Sequence, residues 1–158
     1  MSDDGPNQNP HSFIATSKWI YEASPLPLSG FQALLAAADD HLEPFWGIQF
    51  HAYGAASAVN QIDIAATAFA FRDTLWSVQM AANFNVGPDQ EKHVAGFDAF
   101  RKAADTIFDV GAYRCYPDTS LDRGAYMHAY YRTNADRLRK VKAAYDPDSL
   151  FTFEQSIF

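Results

Sequence analysis

The sequence predicts an α+β domain in which an antiparallel sheet is flanked by helices. Three observations carry this: two-residue alternation at 46–53 and 74–84, helical periodicity at 30–42, 88–109 and 122–144, and strand-like stretches grouped as a meander with the helices beside them. A length of 158 residues suits one domain, which would bury roughly 70% of the surface its unfolded chain exposes.

Met1 to Pro10 is polar and lacks the basic and apolar regions of a secretion signal, so residues 1–12 read as a disordered tail before one domain at 13–158. Ile14–Glu22 reads as the first strand, ended by Pro25 and Pro27. Ser29 can cap a helix from Gly30 to Leu42 with Phe31, Leu34, Leu35, Ala38 and Leu42 on one face, and Pro44 stops it. Trp46–Tyr53 alternates, with Ile48, Phe50 and Ala52 on one side and Gln49, His51 and Tyr53 on the other. Beyond a small-residue turn at Gly54–Ser57, the stretches Val59–Ile64 and Thr67–Phe71 read as strands. Thr74–Phe84 continues the sheet as far as Val86-Gly87-Pro88.

A helix from Pro88 to Asp109 carries Asp89 and Glu91 in its first turn, where acids complement the helix dipole. Its buried side is Val94, Phe97, Phe100, Ala104 and Phe108, and Gly111 closes it. Tyr113–Tyr116 reads as a short strand. The last helix runs from Asp122 to Ala144, with Tyr126, Tyr130, Leu138 and Val141 at helical spacing, and Asp146-Pro147 ends it.

Charge and composition exclude several functions. Twelve basic residues against nineteen acidic ones give a net charge of −7, which argues against nucleic acid. The local cluster Arg132, Arg137, Arg139, Lys140 and Lys142 is diluted by Asp136, Asp146 and Asp148 and reads as a solvated helix face. A single cysteine, Cys115, rules out an intrachain disulfide, and no apolar run approaches the ~18 residues of a membrane span, so a cytoplasmic protein is expected. There is no dinucleotide glycine pattern, no phosphate-cradling loop, no nucleophile elbow and no metal-ligand spacing among the five histidines. A self-contained redox enzyme is therefore not expected.

The C-terminal third carries an ordered set of strings: Ala112-Tyr113-Arg114-Cys115-Tyr116-Pro117-Asp118, Leu121, Tyr130-Tyr131-Arg132-Thr133-Asn134, Arg137-Leu138, Val141-Lys142, Tyr145-Asp146-Pro147, Phe151 and Gln155-Ser156-Ile157. These resemble the C-terminal signature of the berberine-bridge-type, FAD-linked oxidases, in which a Tyr-x-Asn-Tyr-x-Asp strand precedes a helix with Tyr-Tyr-Gly-x-Asn-x-x-Arg-Leu. Thr67-Ala68-Phe69-Ala70-Phe71-Arg72-Asp73 resembles the family's Thr-Ala-Phe-Pro-His-Arg element. The resemblance implies the substrate-binding half of a two-domain oxidase, an antiparallel sheet that roofs the flavin ring. The family's flavin-binding half, which carries the covalent attachment residues, has no counterpart in these 158 residues, so no cofactor-binding residue is assigned.

Four departures stand out. The family Asn is Cys115, the helix Gly is Arg132, the Pro-His pair is Ala70-Phe71, and the polar base of the substrate-facing strand is matched by Ser77 and Gln79. Tyr113 matches a tyrosine that serves as catalytic acid or base in several family members. Alternation groups Ser77 with Gln79, and Tyr113 with Cys115. The expected catalytic pair is Tyr113 and Gln79; Ser77, His51, Tyr53, Arg72 and Cys115 are expected to bind substrate, with Arg72 otherwise pairing with Asp73 or Asp118. Asn134 is expected to cap a nearby loop.

The function expected is that of a stand-alone, flavin-free descendant of the oxidase domain. It would bind a hydrophobic small molecule and promote cyclisation or isomerisation in secondary metabolism, without metal, nucleic acid or membrane. The alternative is the C-terminal part of a split FAD-dependent oxidoreductase, with FAD supplied by a separate flavin-binding chain. An aromatic sheet face left open would favour a homodimer or higher homo-oligomer.

Overall fold

The computed structural model describes residues 11–43 and 46–158. Three strands, β1 (His11–Tyr21), β2 (Trp46–Ala52) and β3 (Thr74–Asn85), form one antiparallel sheet in the order β1-β3-β2. The sheet is antiparallel and helix-flanked as expected, yet it is not a meander, because the last strand takes the centre. That strand is covered on both faces: Val78, Met80 and Ala82 point one way, and Ser77 and the half-buried Gln79 the other, while residues 15–21 of β1 are likewise buried on both sides. His11 and Ser12 belong to β1 rather than to a tail, and the rest of the expected tail, residues 1–10, lies outside the described residues.

Helices α1 (Leu28–His41) and α2 (Gln90–Asp105) cover one sheet face. Leu34 and Ala38 from α1, with Phe97, Phe100 and Ala104 from α2, bury Ile20, Val78, Met80 and Ala82. The helices close together at Gly96, where a Cβ would stand 2.5 Å from the His41 carbonyl oxygen. On the same face, buried Lys18 forms an ion pair with Asp105 at the end of α2.

Ser29 does not cap α1: Pro27 takes the N-cap position, and its carbonyl accepts the Phe31 N–H at 3.0 Å. Helix α2 stops four residues earlier than expected. The N–H groups of Thr106, Ile107 and Phe108 turn back onto Ala103 and Ala104, and Gly111 packs instead against Trp19, Tyr21 and Phe71.

Val59–Ile64 is mostly turn, and Thr67–Phe71 is a bend followed by irregular backbone; neither is a strand. Side chains take the carbonyls that a ladder would use. Asn60 Nδ2 donates to Gly54 (3.0 Å) and Thr74 (2.8 Å), Arg72 donates to Val59 (2.9 Å), Arg137 to Ala65 (2.5 Å), and Asn134 to Ile64 (2.7 Å) and Thr67 (3.1 Å). Residues 54–73 thus form a strap fastened to the rest of the domain.

The expected long C-terminal helix is broken into α3 (Arg123–Tyr131), a 3-10 turn (Arg132–Asn134) and α4 (Ala135–Tyr145). Arg132 adopts φ 46° and ψ −126°, which no helix can pass through. Asp122 caps α3, accepting from the Gly124 and Ala125 N–H groups at 2.9 and 2.8 Å. Behind α3 lies a second core of Ala112, Tyr126, Met127, Ala129, Tyr130 and Ala135.

The C-terminus is clamped onto that core. The Tyr130 hydroxyl accepts from the Asp118 N–H (2.8 Å) and donates to Gln155 Oε1 (2.9 Å), and Gln155 Nε2 donates to the Asp118 carbonyl (2.7 Å). Gln155→Ala leaves these buried groups unpaired and is expected to lower stability by about 1–3 kcal/mol in denaturant melts. Exposed Glu154→Ala should stay within about 0.5 kcal/mol. Among the described residues, no helix is long and apolar enough to cross a membrane.

Candidate functional site

The sheet face turned away from α1 and α2 is defined by register. Ser17 pairs with Gln79 and Gln79 with Gln49; Trp19 pairs with Ser77 and Ser77 with His51; Ala15 pairs with Ala81 and Ala81 with Gly47. Cross-strand partners share a face, so Gln49 and Gln79 stand side by side with Cβ atoms about 5 Å apart. None of these nine residues is a carboxylate, lysine or arginine, and the row Ala15–Ala81–Gly47 is flat. A Cβ added at Gly47 would meet nothing within 4 Å.

One end of the face is walled by aromatic rings. Buried Trp19 stacks on Phe71 with centroids 4.5 Å apart and meets the edges of Tyr53 (5.7 Å), Phe69 (5.7 Å) and Tyr113 (5.6 Å). Tyr116 packs against Tyr113 at 5.6 Å and lies nearly parallel to His51 at 6.4 Å. The Tyr113 backbone N–H donates to Ser17 Oγ at 2.7 Å, which anchors this loop beside Gln79. Trp19 and Phe71 are buried within this cluster, whereas Tyr53, Phe69, Tyr113 and Tyr116 stay half-buried at its rim.

Interaction with Cys115, then burial, then the neighbouring Tyr53 and Tyr116 phenols push the Tyr113 hydroxyl from 10.0 up to about 12. Burial foremost raises Tyr53 as well. At neutral pH both are uncharged donors. Ser77 Oγ and Trp19 Nε1 are buried in this region without a partner. Tyr21, next to Trp19 in the Phe71 cluster, is also pushed to about 12, chiefly by burial and against the lowering effect of Arg132. Its folded value exceeds its unfolded one, so the stability it contributes is complete below pH 10.0 and is lost as pH rises toward about 12. An alkaline melting series should show that decline, and Tyr21→Phe should lessen it, leaving the part that Tyr113 contributes.

Tyr113, Gln79, Ser77, His51 and Tyr53 therefore meet on or beside one face, with exposed Cys115 next to the tyrosines. Arg72 does not join them. Its guanidinium donates to the Val59 carbonyl and to Thr67 Oγ1 (2.7 Å) and covers Phe69 at 4.8 Å, holding the strap. Nor does it pair with Asp73 or Asp118: Arg132 takes Asp73 at 2.8 Å, and Thr16 donates to Asp118 at 2.6 Å.

Sequence reasoning passed over Gln49 and Tyr116. Gln49 shares its alternation with His51 and was open to discovery by pairing β2 with β3. Tyr116 was hidden because a strand at 113–116 would point it away from Tyr113. The segment is instead a turn, closed by the Tyr116 N–H on the Tyr113 carbonyl at 2.9 Å.

Among the described residues, no group of three His, Cys, Asp or Glu could hold a metal ion. A separate apolar cleft of about 320 Å³ lies on the helix side, between Phe31, Phe50 and Trp76.

The family described as berberine and berberine-like matches residues 112–158. The xylooligosaccharide oxidase of Thermothelomyces thermophilus is 34% identical over 71% of this chain and 24% of its own length. The FAD-linked oxidoreductase YvdP of Bacillus subtilis is 27% identical over 96% of this chain and 32% of its own. The solved structure of Physcomitrella patens BBE-like 1 superposes with a TM-score of 0.82 at 27% identity, covering 99% of this chain and 32% of that one. The chain thus spans about a quarter to a third of the length of these relatives. With a matching fold and a matching segment at residues 112–158, the chain belongs to the berberine-bridge-enzyme-like FAD-linked oxidases, of which it is a part.

Proposed function

We propose that this domain forms the substrate-binding wall of an FAD-linked oxidoreductase acting on a neutral saccharide. The observation that carries this is the Gln49–Gln79 amide pair on an uncharged face beside the Tyr113, Tyr116 and His51 rim. An amide offers donors and an acceptor together and so suits neighbouring hydroxyl groups. The aromatic rim offers apolar surface for the carbon face of a sugar ring. A charged ligand would find no carboxylate, lysine or arginine among the nine paired residues of this face. The xylooligosaccharide oxidase among the relatives acts, by its name, on the same class of molecule.

The flat Ala15–Ala81–Gly47 row and the unpartnered Ser77 hydroxyl suit a planar ring laid against the sheet. The strands of this face offer no glycine-rich loop or guanidinium for a pyrophosphate. An FAD held by a separate flavin-binding domain would supply the two-electron acceptor for the substrate. Gln49 and Gln79 orient the sugar, and Tyr113 handles the proton of the reacting hydroxyl. If Tyr113 abstracts that proton, kcat/KM climbs with pH from neutrality toward about 12. A flat profile assigns it hydrogen-bond donation alone.

Anaerobic addition of xylobiose to the FAD-loaded oxidoreductase should bleach the flavin, with Gln79→Ala and Gln49→Ala each raising KM about 5–10-fold. Bleaching by charged substrates but not by neutral sugars would overturn this assignment.

A second reading is flavin-free cyclisation or isomerisation of a hydrophobic metabolite. Its support is the ring cluster around Trp19 and the absence of a carboxylate on the face. Turnover of such a substrate by colourless, FAD-free protein would establish it, and strict dependence on FAD would end it.

A further inference from the structure

Two of the positions at which this chain departs from the family pattern touch each other. The pattern's Pro-His pair is Ala70-Phe71 and its helix glycine is Arg132. The Arg132 guanidinium lies 4.9 Å from the centre of the Phe71 ring and 4.6 Å from that of Tyr21. It also donates to Asp73 at 2.8 Å and to the Ala70 carbonyl at 3.4 Å.

The backbone of Arg132, at φ 46° and ψ −126°, occupies a region that glycine enters freely and other residues rarely do. Such a conformation persists only where surrounding contacts over-determine it, and these four side-chain contacts are the ones at hand. They lead further. Phe71 stacks on Trp19, and Trp19 meets the edge of Tyr113 at 5.6 Å. Tyr21, the second ring at the same guanidinium, donates its hydroxyl to the Val110 carbonyl at 3.1 Å, in the segment that leads into Tyr113. Two routes of packed contact thus connect Arg132 with Tyr113.

We propose that Arg132 is a positioning residue for Tyr113: by clamping Phe71, Asp73 and Tyr21 it fixes the Trp19 platform against which the Tyr113 ring stands. The importance of that position rests on the reading of Tyr113 given above, whereas the positioning itself is read without turnover.

The near-ultraviolet circular dichroism of the protein minus that of its Tyr113→Phe variant isolates the band of an immobilised Tyr113. Measured again in the Arg132→Gly background, this difference should vanish, whereas Arg132→Lys, which keeps a cation between the rings and Asp73, should retain most of it. A merely structural arginine would lower the melting temperature and leave the band intact, and that result would overturn the proposal. Should the glycine variant not fold, Asp73→Asn cuts the same clamp from its exposed end and is judged by the same two outcomes. In the FAD-loaded oxidoreductase, Arg132→Gly should lower kcat about 10-fold with KM little changed. Loss of the band with kcat intact leaves the positioning standing and refutes the role given to Tyr113.

Discussion

Tyr113→Phe is expected to lower turnover of the FAD-loaded oxidoreductase ~100-fold or more while leaving the melting temperature nearly unchanged. The substitution keeps the ring that packs on Trp19, Phe69 and Tyr116, and it keeps the backbone N–H that holds Ser17. Only the hydroxyl is lost. A preorganised donor facing a developing negative charge contributes about 2.7–4 kcal/mol to transition-state stabilisation, which sets the size of the loss. Steady-state kinetics and calorimetry together decide the matter. If activity survives Tyr113→Phe and collapses on Gln79→Ala, the polar centre lies on β3 instead. A large fall in melting temperature would show that the hydroxyl serves the fold.

Gly111→Ala should be the most damaging single-methyl change in the domain. Gly111 has φ +147°, where an L side chain is strained, and the added Cβ would stand 2.5 Å from the Tyr21 hydroxyl, 3.1 Å from Trp19 and 3.2 Å from Phe71. None of the three can yield easily: Trp19 and Phe71 stack on each other, and Phe71 and Tyr21 both face the Arg132 guanidinium. Backbone strain and overpacking each contribute about 1–3 kcal/mol, so a loss of about 3 kcal/mol or more is expected. For a chain of this size that amounts to a melting temperature lower by roughly 10 °C. Gly54→Ala is the control: its φ is +76° but nothing lies within 4 Å of the added Cβ, so only the strain of about 1–3 kcal/mol applies. Equal losses at the two positions would show that the ring cluster gives way.

What the sequence revealed follows from which interactions are local. Alternation along β2 and β3 placed Gln49 with His51 and Ser77 with Gln79 correctly, because strand geometry leaves a side chain only two directions. The buried face of α2 was readable for the same reason, through Phe97, Phe100 and Ala104. The strap at 54–73 was misread as strands because its β-branched and aromatic residues look like strand residues. Its conformation is set by Asn60, Arg72, Asn134 and Arg137, two of which come from some 70 residues away. The break at Arg132 was invisible for a related reason: helical spacing continues on both sides of it, and the contacts that hold its φ positive come from Asp73, Phe71 and Tyr21. The role expected of Arg72 failed because a guanidinium in sequence near candidate ligands serves whichever carbonyls the fold brings to it.

The position of the ligand on the domain is the most direct measure of all this. Chemical-shift mapping of the ¹⁵N-labelled protein titrated with xylobiose should perturb the backbone of Gln49, His51, Gln79, Tyr113 and Tyr116, with the side-chain amides of Gln49 and Gln79 moving most. The perturbations should be absent from the Gln49→Ala, Gln79→Ala double variant. Shifts centred instead on Phe31, Phe50 and Trp76, at the apolar cleft on the opposite side of the sheet, would contradict the assignment of the uncharged face as the substrate surface.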